Sequence, residues 1–436
     1  PGGSTKTEEL TLPGFKHDIG SAIHPMAYAS PFFRELPLTE YGLKWIFPEI
    51  SYSHPLKNGE AIACYKNIDK TAAQLGEDES SYKKLFESLK TDWPRLENDI
   101  LGPLGWPEHP LKLMKFGLHA VPSAKMLVDY YFKTEKSKVF FYGAAAHSTL
   151  PLTNMASASF GLVLNIMAHN YGWPFPEGGA SSLINALVSY YRSLGGEITY
   201  NQNITDLKQL PEADSYLFDL TPEQILKIKN TDFSDNYRKR LQNYKYGAGI
   251  FKIDWALKGP IPFINEKCRK SGTVHFGYST NEIEESENDI HRNKINKTPY
   301  VLLAQHSVFD KTRAPEGKHT AWAYCHVPNG NTADFTEAIE NQIEKSAPGF
   351  KDLILAKRTH NTKQLEQYNP NLIGGDINGG KQDITQLFTR PVAKLDPYAT
   401  SNPSLFICSA STPPGGGVHG MCGYHAAKSA FNFINN

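Results

Sequence analysis

The chain has 436 residues, enough for two domains or for one domain with a large insertion, and its hydrophobic fraction of 40% permits a sizeable core. Lys+Arg and Asp+Glu each count 45, so the formal net charge is zero and no long-range field draws in nucleic acid or an anionic membrane surface. The five cysteines are scattered and lack a C-x-x-C pair, which argues against a disulfide framework and for reduced core thiols in a cytoplasmic setting.

The opening, PGGSTKTEELTLPGFKHDIGSAIHP, reads as a Gly-rich turn, a short strand at EELTL, a turn at PGF and a second extended piece ending at Gly20 and Ser21. It has neither an initiator Met nor an apolar signal region, so it is expected to begin inside a longer polypeptide. Apolar residues at helical spacing mark 80–101 and 111–132, the latter interrupted at Pro122. A further helix is expected from Ser157, ending before the turn cluster WPFPEGGA. The apolar runs KVFFYGAAA and FGLVLNIMA are about half the ~20 residues that span a bilayer.

Next, an amphipathic helix starts near Ser181, stops at Gly195 and Gly196, and is expected to give way to two short strands. ADSYLFDLTP carries an apolar strand ending at Asp219. Alternating patterns over 251–327 predict several antiparallel strands. TADFTEAIENQIEKSAPGF is a capped amphipathic helix that ends at Pro348 and Gly349. The chain finishes with strand SLFICSA, the glycine loop STPPGGGVHG and a last helix. This order predicts an α/β nucleotide-binding domain assembled from separated segments, with a substrate domain inserted.

A strand that ends in a glycine loop and feeds a helix brings free N–H groups and the positive end of the helix dipole to one point, an arrangement suited to phosphate. Glycine also removes the Cβ that would hold a flat ligand away. Gly415, Gly416 and Gly417 suit a nest of amides, and Gly420 and Gly423 let the last helix come close to a ring. Two other readings stay open: a surface turn, or a metal site built from Cys408, His419, Cys422 and His425, whose three-residue steps drift around a helix. Near the N-terminus, Gly2 and Gly3 with Ser4 and Thr5 offer amides and hydroxyls to a phosphate or ribose, the rival reading being an ordinary hairpin.

The opening segment, WPFPEGGASSLINAL with LGGEI, and LFICSASTPPGGGVHGMCGYHAA together resemble the flavin-contacting segments of FAD-dependent oxidoreductases related to phytoene desaturase, within the amine oxidase-like flavoprotein superfamily. The likeness runs along essentially the whole chain through YKYGAGIFKIDWALKGPIP, DKTRAPEGKHTAWAYCHVPNG and NPNLIGGDINGG. It implies a Rossmann-like FAD domain formed by 1–28, 171–235 and 396–436, and an inserted α+β substrate domain with an antiparallel sheet formed by 29–170 and 236–395. It implies FAD as cofactor, held by Gly2, Gly3, Ser4 and Thr5 along the pyrophosphate and ribityl chain and by Gly20 and Ser21 near the ring. Ile204 would meet adenine through its backbone, and Gly416, Gly417, Val418, His419 and Gly420 would close over the ribityl and isoalloxazine.

The strand, G-x-G-x-x-G turn and helix that open the family's fold have no counterpart in this sequence, so the expected Rossmann-like domain lacks its first βαβ unit. Ser4 stands where many members carry Arg, and CSAST has no acidic residue where many have one. The expected activity is desaturation or dehydrogenation of an apolar or amphipathic small molecule, with peripheral membrane contact compatible and nucleic acid and metal not expected. His419 is the first candidate acid/base, followed by His24 and by His306, Asp310 and Arg313. Rival functions are a non-enzymatic binding protein on the same scaffold, like the GDP dissociation inhibitors, and an amine oxidase.

Overall fold

The structure is a computed structural model that describes residues 1–435. Its centre is a seven-stranded sheet in the order Ile354–His360, Gly249–Leu257, His319–Val327, Val301–Ala304, Ser271–Phe276, Ile50–Pro55, Ala61–Tyr65. Neighbours are antiparallel except Ile50–Pro55 and Ser271–Phe276, which run parallel. The antiparallel strands expected over 251–327 form, four in number, and two upstream strands and one downstream strand that alternation did not reveal join them.

The sheet is covered on both faces, and the strand Gly249–Leu257 is buried at every position. Phe251, Ile253, Trp255 and Leu257 point to the side packed by Ile339 and Ile343 of the helix Thr336–Ser346. On the other side Tyr52, Leu302 and Trp322 join a core built with the helices Glu135–Ala145 and Ser157–Asn170. The helix Ser157–Asn170 is apolar almost all round because it lies inside this layer. The alternate residues of the strand Gly249–Leu257, Lys252 and Asp254, therefore sit 1% and 0% exposed although they are charged.

Two smaller pieces complete the frame. Tyr216–Phe218 and Leu405–Ile407 pair in parallel, Tyr216 opposite Leu405, and pack on the cluster of Ile225, Phe233 and Leu241. The hairpin Thr7–Glu9 and Lys16–Asp18 leans on the N-terminus of the helix Ala180–Ser193. There Thr7 N–H donates to Ser181 Oγ at 2.8 Å and Ser181 N–H donates back to Thr7 Oγ1 at 3.1 Å. The expected helices at 80–101, 111–132, 157 onward and 181 onward form, each broken or ended close to its Pro or Gly signal. No described helix is long and apolar enough to cross a membrane. All five cysteines are free.

One local expectation fails. The two strands expected after Gly195 and Gly196 do not form, and 197–205 is irregular. A strand needs a partner strand for its backbone groups, and here the Thr205 carbonyl accepts from the Lys229 N–H while the Thr205 N–H donates to Gln209 Oε1.

Asp18 is the tie between the hairpin, the helix and the sheet layer. Its Oδ1 accepts from Thr7 Oγ1 at 2.6 Å and from the Ala180 N–H at 2.9 Å, while Oδ2 accepts from Arg313 Nη2 at 2.7 Å. Burial alone would raise its pKa, but Arg313, His306, Thr7 and the Ala180 amide overcome that and hold it at about 2. Asp18→Ala leaves Arg313 buried without its counter-charge, and the unfolding free energy in urea should drop by about 3–5 kcal/mol. Because the folded carboxyl titrates below its unfolded value, the wild-type contribution is present above about pH 4 and disappears toward pH 2. A urea midpoint that Asp18→Ala leaves unmoved would remove this tie from the fold.

Candidate functional site

Where the hairpin, the parallel pair, the C-terminal loop and the central sheet meet, they line a cavity of about 610 Å³, within the range of ligand and cofactor sites. Its two ends differ in chemistry. One end is bare backbone and small polar groups: Gly2 to Thr5, Gly20 and Ser21, Gly417 and Val418, and the residues that follow the parallel strands, Asp219, Thr221, Ser409 and Ala410. Ligands in α/β sheets sit outside the carboxyl ends of parallel strands, and that is where these four residues lie. The other end is the helix-covered face of the sheet, with Ile250, Lys252, Thr273, Leu302, Trp322 and Tyr324 as floor and Leu164, Trp173 and His147 opposite.

At the backbone end two glycines are required by geometry. A Cβ on Gly20 would collide with the Ser4 carbonyl oxygen, so the first segment and the Gly20–Ser21 turn lie backbone to backbone. Gly417 has φ +123°, a conformation side chains rarely adopt, and it lines the cavity. Among the described residues Thr221 Oγ1 is buried there without a well-formed hydrogen bond, beside the Tyr246 hydroxyl, while the Thr221 N–H donates to Asn371 Oδ1 at 2.9 Å. A poorly bonded hydroxyl beside exposed backbone suits the polar part of a bound cofactor.

Of the residues singled out in the sequence, Gly2, Gly3, Ser4, Thr5, Gly20, Ser21, Gly417 and Val418 line this cavity. Gly416, His419, Gly420 and Ile204 are not among its lining. Gly416 packs on Asn378, Gly420 against Phe33 just before the helix Met421–Ile434, and Ile204 is half-buried on the irregular 197–205 stretch. His419 is spent inside its own loop: Met421 N–H donates to Nδ1 at 3.0 Å, which makes Nε2 the donor to Gly415 O at 3.2 Å. Both ring nitrogens are thus occupied, and the residue locks the loop.

The other candidate acid/base groups divide similarly. His24 lines the cavity with Nε2 3.0 Å from Ser21 Oγ. His306 lies 4.0 Å from Asp18, Arg313 is paired with Asp18, and Asp310 accepts from the Gly178 and Thr312 amides at 2.8 and 3.0 Å. These three are structural. Cys408, His419, Cys422 and His425 form no group able to hold a metal ion among the described residues.

The polar groups of the sheet floor were not singled out in the sequence. Lys252 Nζ donates to both Asp254 oxygens, at 2.6 and 2.5 Å, with both side chains fully buried. Burial raises the Asp254 pKa to about 6 against the opposing pull of Lys252. The nearby His147 faces His275, Nε2 to Nε2 at 3.1 Å. The available signal was the K and D of FKIDWAL, which alternation assigns to the face away from the apolar core.

No protein-family model matches the chain. In sequence it is similar to the rat pyridine nucleotide-disulfide oxidoreductase domain-containing protein 2, 22% identical over 368 residues that cover 72% of this chain and 61% of that protein. It is also similar to the lycopene-forming phytoene desaturase of Pseudescherichia vulneris, 29% identical over 70% of this chain and 64% of the relative, and to the 4,4'-diapolycopen-4-al dehydrogenase of Metabacillus indicus, 22% identical over 84% and 77%. The chain spans about three fifths of the length of the first of these relatives. Among solved structures, an oxidoreductase from Methanosarcina mazei superimposes with TM-score 0.64 at 14% identity over 100% of this chain and 92% of that one. A putrescine oxidase variant follows with TM-score 0.60 at 12% identity, over 100% and 91%. At these identities the superpositions establish the fold alone, one shared with these oxidoreductases.

Burial holds the histidines around the cavity neutral, lowering His24 and His419 to about 4 and His17, His147 and His306 to about 3. The unfolded chain takes up protons at these sites below about pH 6.5 and the folded chain does not, so stability falls as pH drops from there toward 4. Urea midpoints between pH 7 and pH 4 should decline throughout that window, and a flat profile would mean that these side chains are solvated and charged.

Proposed function

We propose that this chain, a relative of the phytoene desaturase-type dehydrogenases, forms the cofactor and substrate site of an FAD-dependent oxidoreductase acting on an apolar or amphipathic small molecule. The observation that carries this reading is the single cavity with bare backbone at one end and an apolar sheet face at the other. A cofactor end and a substrate end in one continuous cavity is what transfer between the two requires. FAD, when bound, supplies the acceptor for a hydride.

In this reading Gly2, Gly3, Ser4 and Thr5 hold the cofactor's polar chain, with the Thr221 hydroxyl as a further partner. Gly20, Ser21, Gly417 and Val418 present backbone and small side chains to its ring system, and His419 acts by keeping the C-terminal loop in shape. Segments 1–28, 171–235 and 396–436 form the cofactor part, and 29–170 with 236–395 the substrate part. Trp173, Leu302, Trp322 and Tyr324 exclude water from the reacting end and hold the substrate body.

The full-length protein should be yellow as purified or after reconstitution, with flavin absorption. Gly417→Val puts a branched side chain into the cavity wall at φ +123° and should weaken FAD binding by more than about tenfold with the fold intact by circular dichroism. A protein that stays colourless after incubation with FAD would leave only the binding-protein reading.

A further inference from the structure

We propose that the molecule accepted at the sheet end of the cavity is an apolar body bearing an uncharged carbonyl oxygen, seated on Lys252, Thr273 and Trp322. The inference rests on the reading of this cavity as the substrate site of a flavin enzyme.

The three residues share one face of the sheet. Asp254 lies opposite Trp322, Trp322 opposite Ala304, and Ala304 opposite Thr273, while Lys252 lies one pleat along, opposite Tyr324. All three line the cavity and are at least nine-tenths buried, at 1%, 1% and 5% exposure for Lys252, Thr273 and Trp322. Around them the floor and walls are Ile250, Leu302, Tyr324, Leu164 and Trp173.

Their polar atoms are unspent. Among the described residues Trp322 Nε1 and Thr273 Oγ1 have no hydrogen-bond partner. Lys252 places two bonds on the Asp254 carboxylate and lies 5.6 Å from the centre of the Trp322 ring, and among the described residues its third N–H has no acceptor. An indole N–H and an ammonium can only donate, and a hydroxyl can turn to donate. Buried donors left without acceptors are costly, and sites that hold them discriminate strongly for the ligand group that satisfies them.

The complement of buried donors set along one apolar floor is an acceptor oxygen, which needs to meet only one or two of them. A hydrocarbon leaves all three unsatisfied. An alkylammonium brings further donors and a positive charge toward Lys252, whose partner Asp254 already has both oxygens engaged. A carboxylate brings a net negative charge into a site where Lys252 and Asp254 already neutralise each other, and an unbalanced buried charge is expensive. A ketone, aldehyde or ester oxygen meets the donors at no cost in charge.

The test uses the full-length protein and four probes of equal chain length, 2-octanone, octane, octylamine and octanoate, with affinities measured by titration calorimetry. The ketone should bind at least about tenfold tighter than each of the other three, the expected scale for satisfying buried donors. Trp322→Phe and Thr273→Val each remove one polar group, and the double variant should lose that preference, its ketone affinity falling to within about twofold of its octane affinity. Equal or tighter binding of the hydrocarbon, amine or carboxylate, no measurable ketone binding, or a preference that survives the double variant would each overturn the inference. FAD binding is titrated separately by absorbance, so a colourless protein that still prefers the ketone refutes the flavin reading alone, and a yellow protein without that preference refutes only the carbonyl.

Discussion

Everything around the cavity is hung on one buried carboxylate. Asp18 receives donors from the neighbouring hairpin strand, from the first turn of the helix Ala180–Ser193 and from Arg313 beyond the central sheet. Those three pieces are remote in sequence, and no continuous apolar core joins them at this point. A charge-assisted bond in a dry environment is directional, which hydrophobic burial is not. The hairpin is thereby fixed in orientation, and with it the Gly20–Ser21 turn that immediately follows Asp18 and lies against Ser4.

The same principle of spending polarity inside governs the sheet. A strand that alternates apolar and polar residues normally turns its polar side to water. In Gly249–Leu257 that side is roofed by helices, and the two charges neutralise each other across a 2.5–2.6 Å contact. A buried ion pair is weak evidence for stability, since well-packed apolar residues often serve as well or better. Its position in the wall of the cavity, next to an indole N–H and a hydroxyl that have no partners among the described residues, is better accounted for by what the cavity holds than by what the sheet needs.

Much of this was legible in the sequence, and the boundary is instructive. The helices announced themselves through spacing and through Pro and Gly stops, because those signals act within a few residues. The glycine loop and the opening segment were legible as close-approach backbone for the same reason, and eight of their flagged residues do reach one cavity. Ile204 was placed by likeness on a strand whose existence depends on a pairing partner, and pairing is not a local property. The charged pair of FKIDWAL was read as an ordinary amphipathic strand because the helices that cover it come from a distant part of the chain.

His419 marks the same limit from the other side. A histidine in a glycine loop beside a ligand site has the residue type and the address of an acid/base catalyst. Its function is decided by where its two nitrogens point, and here one accepts from Met421 and the other reaches Gly415, four residues back. A loop with this much glycine has little side-chain packing to hold its shape, so it needs an internal brace, and a ring with one donor and one acceptor bridges both sides of the turn. At the far end of the cavity the buried polar groups are instead Lys252 and Asp254 of the strand Gly249–Leu257, bonded to each other.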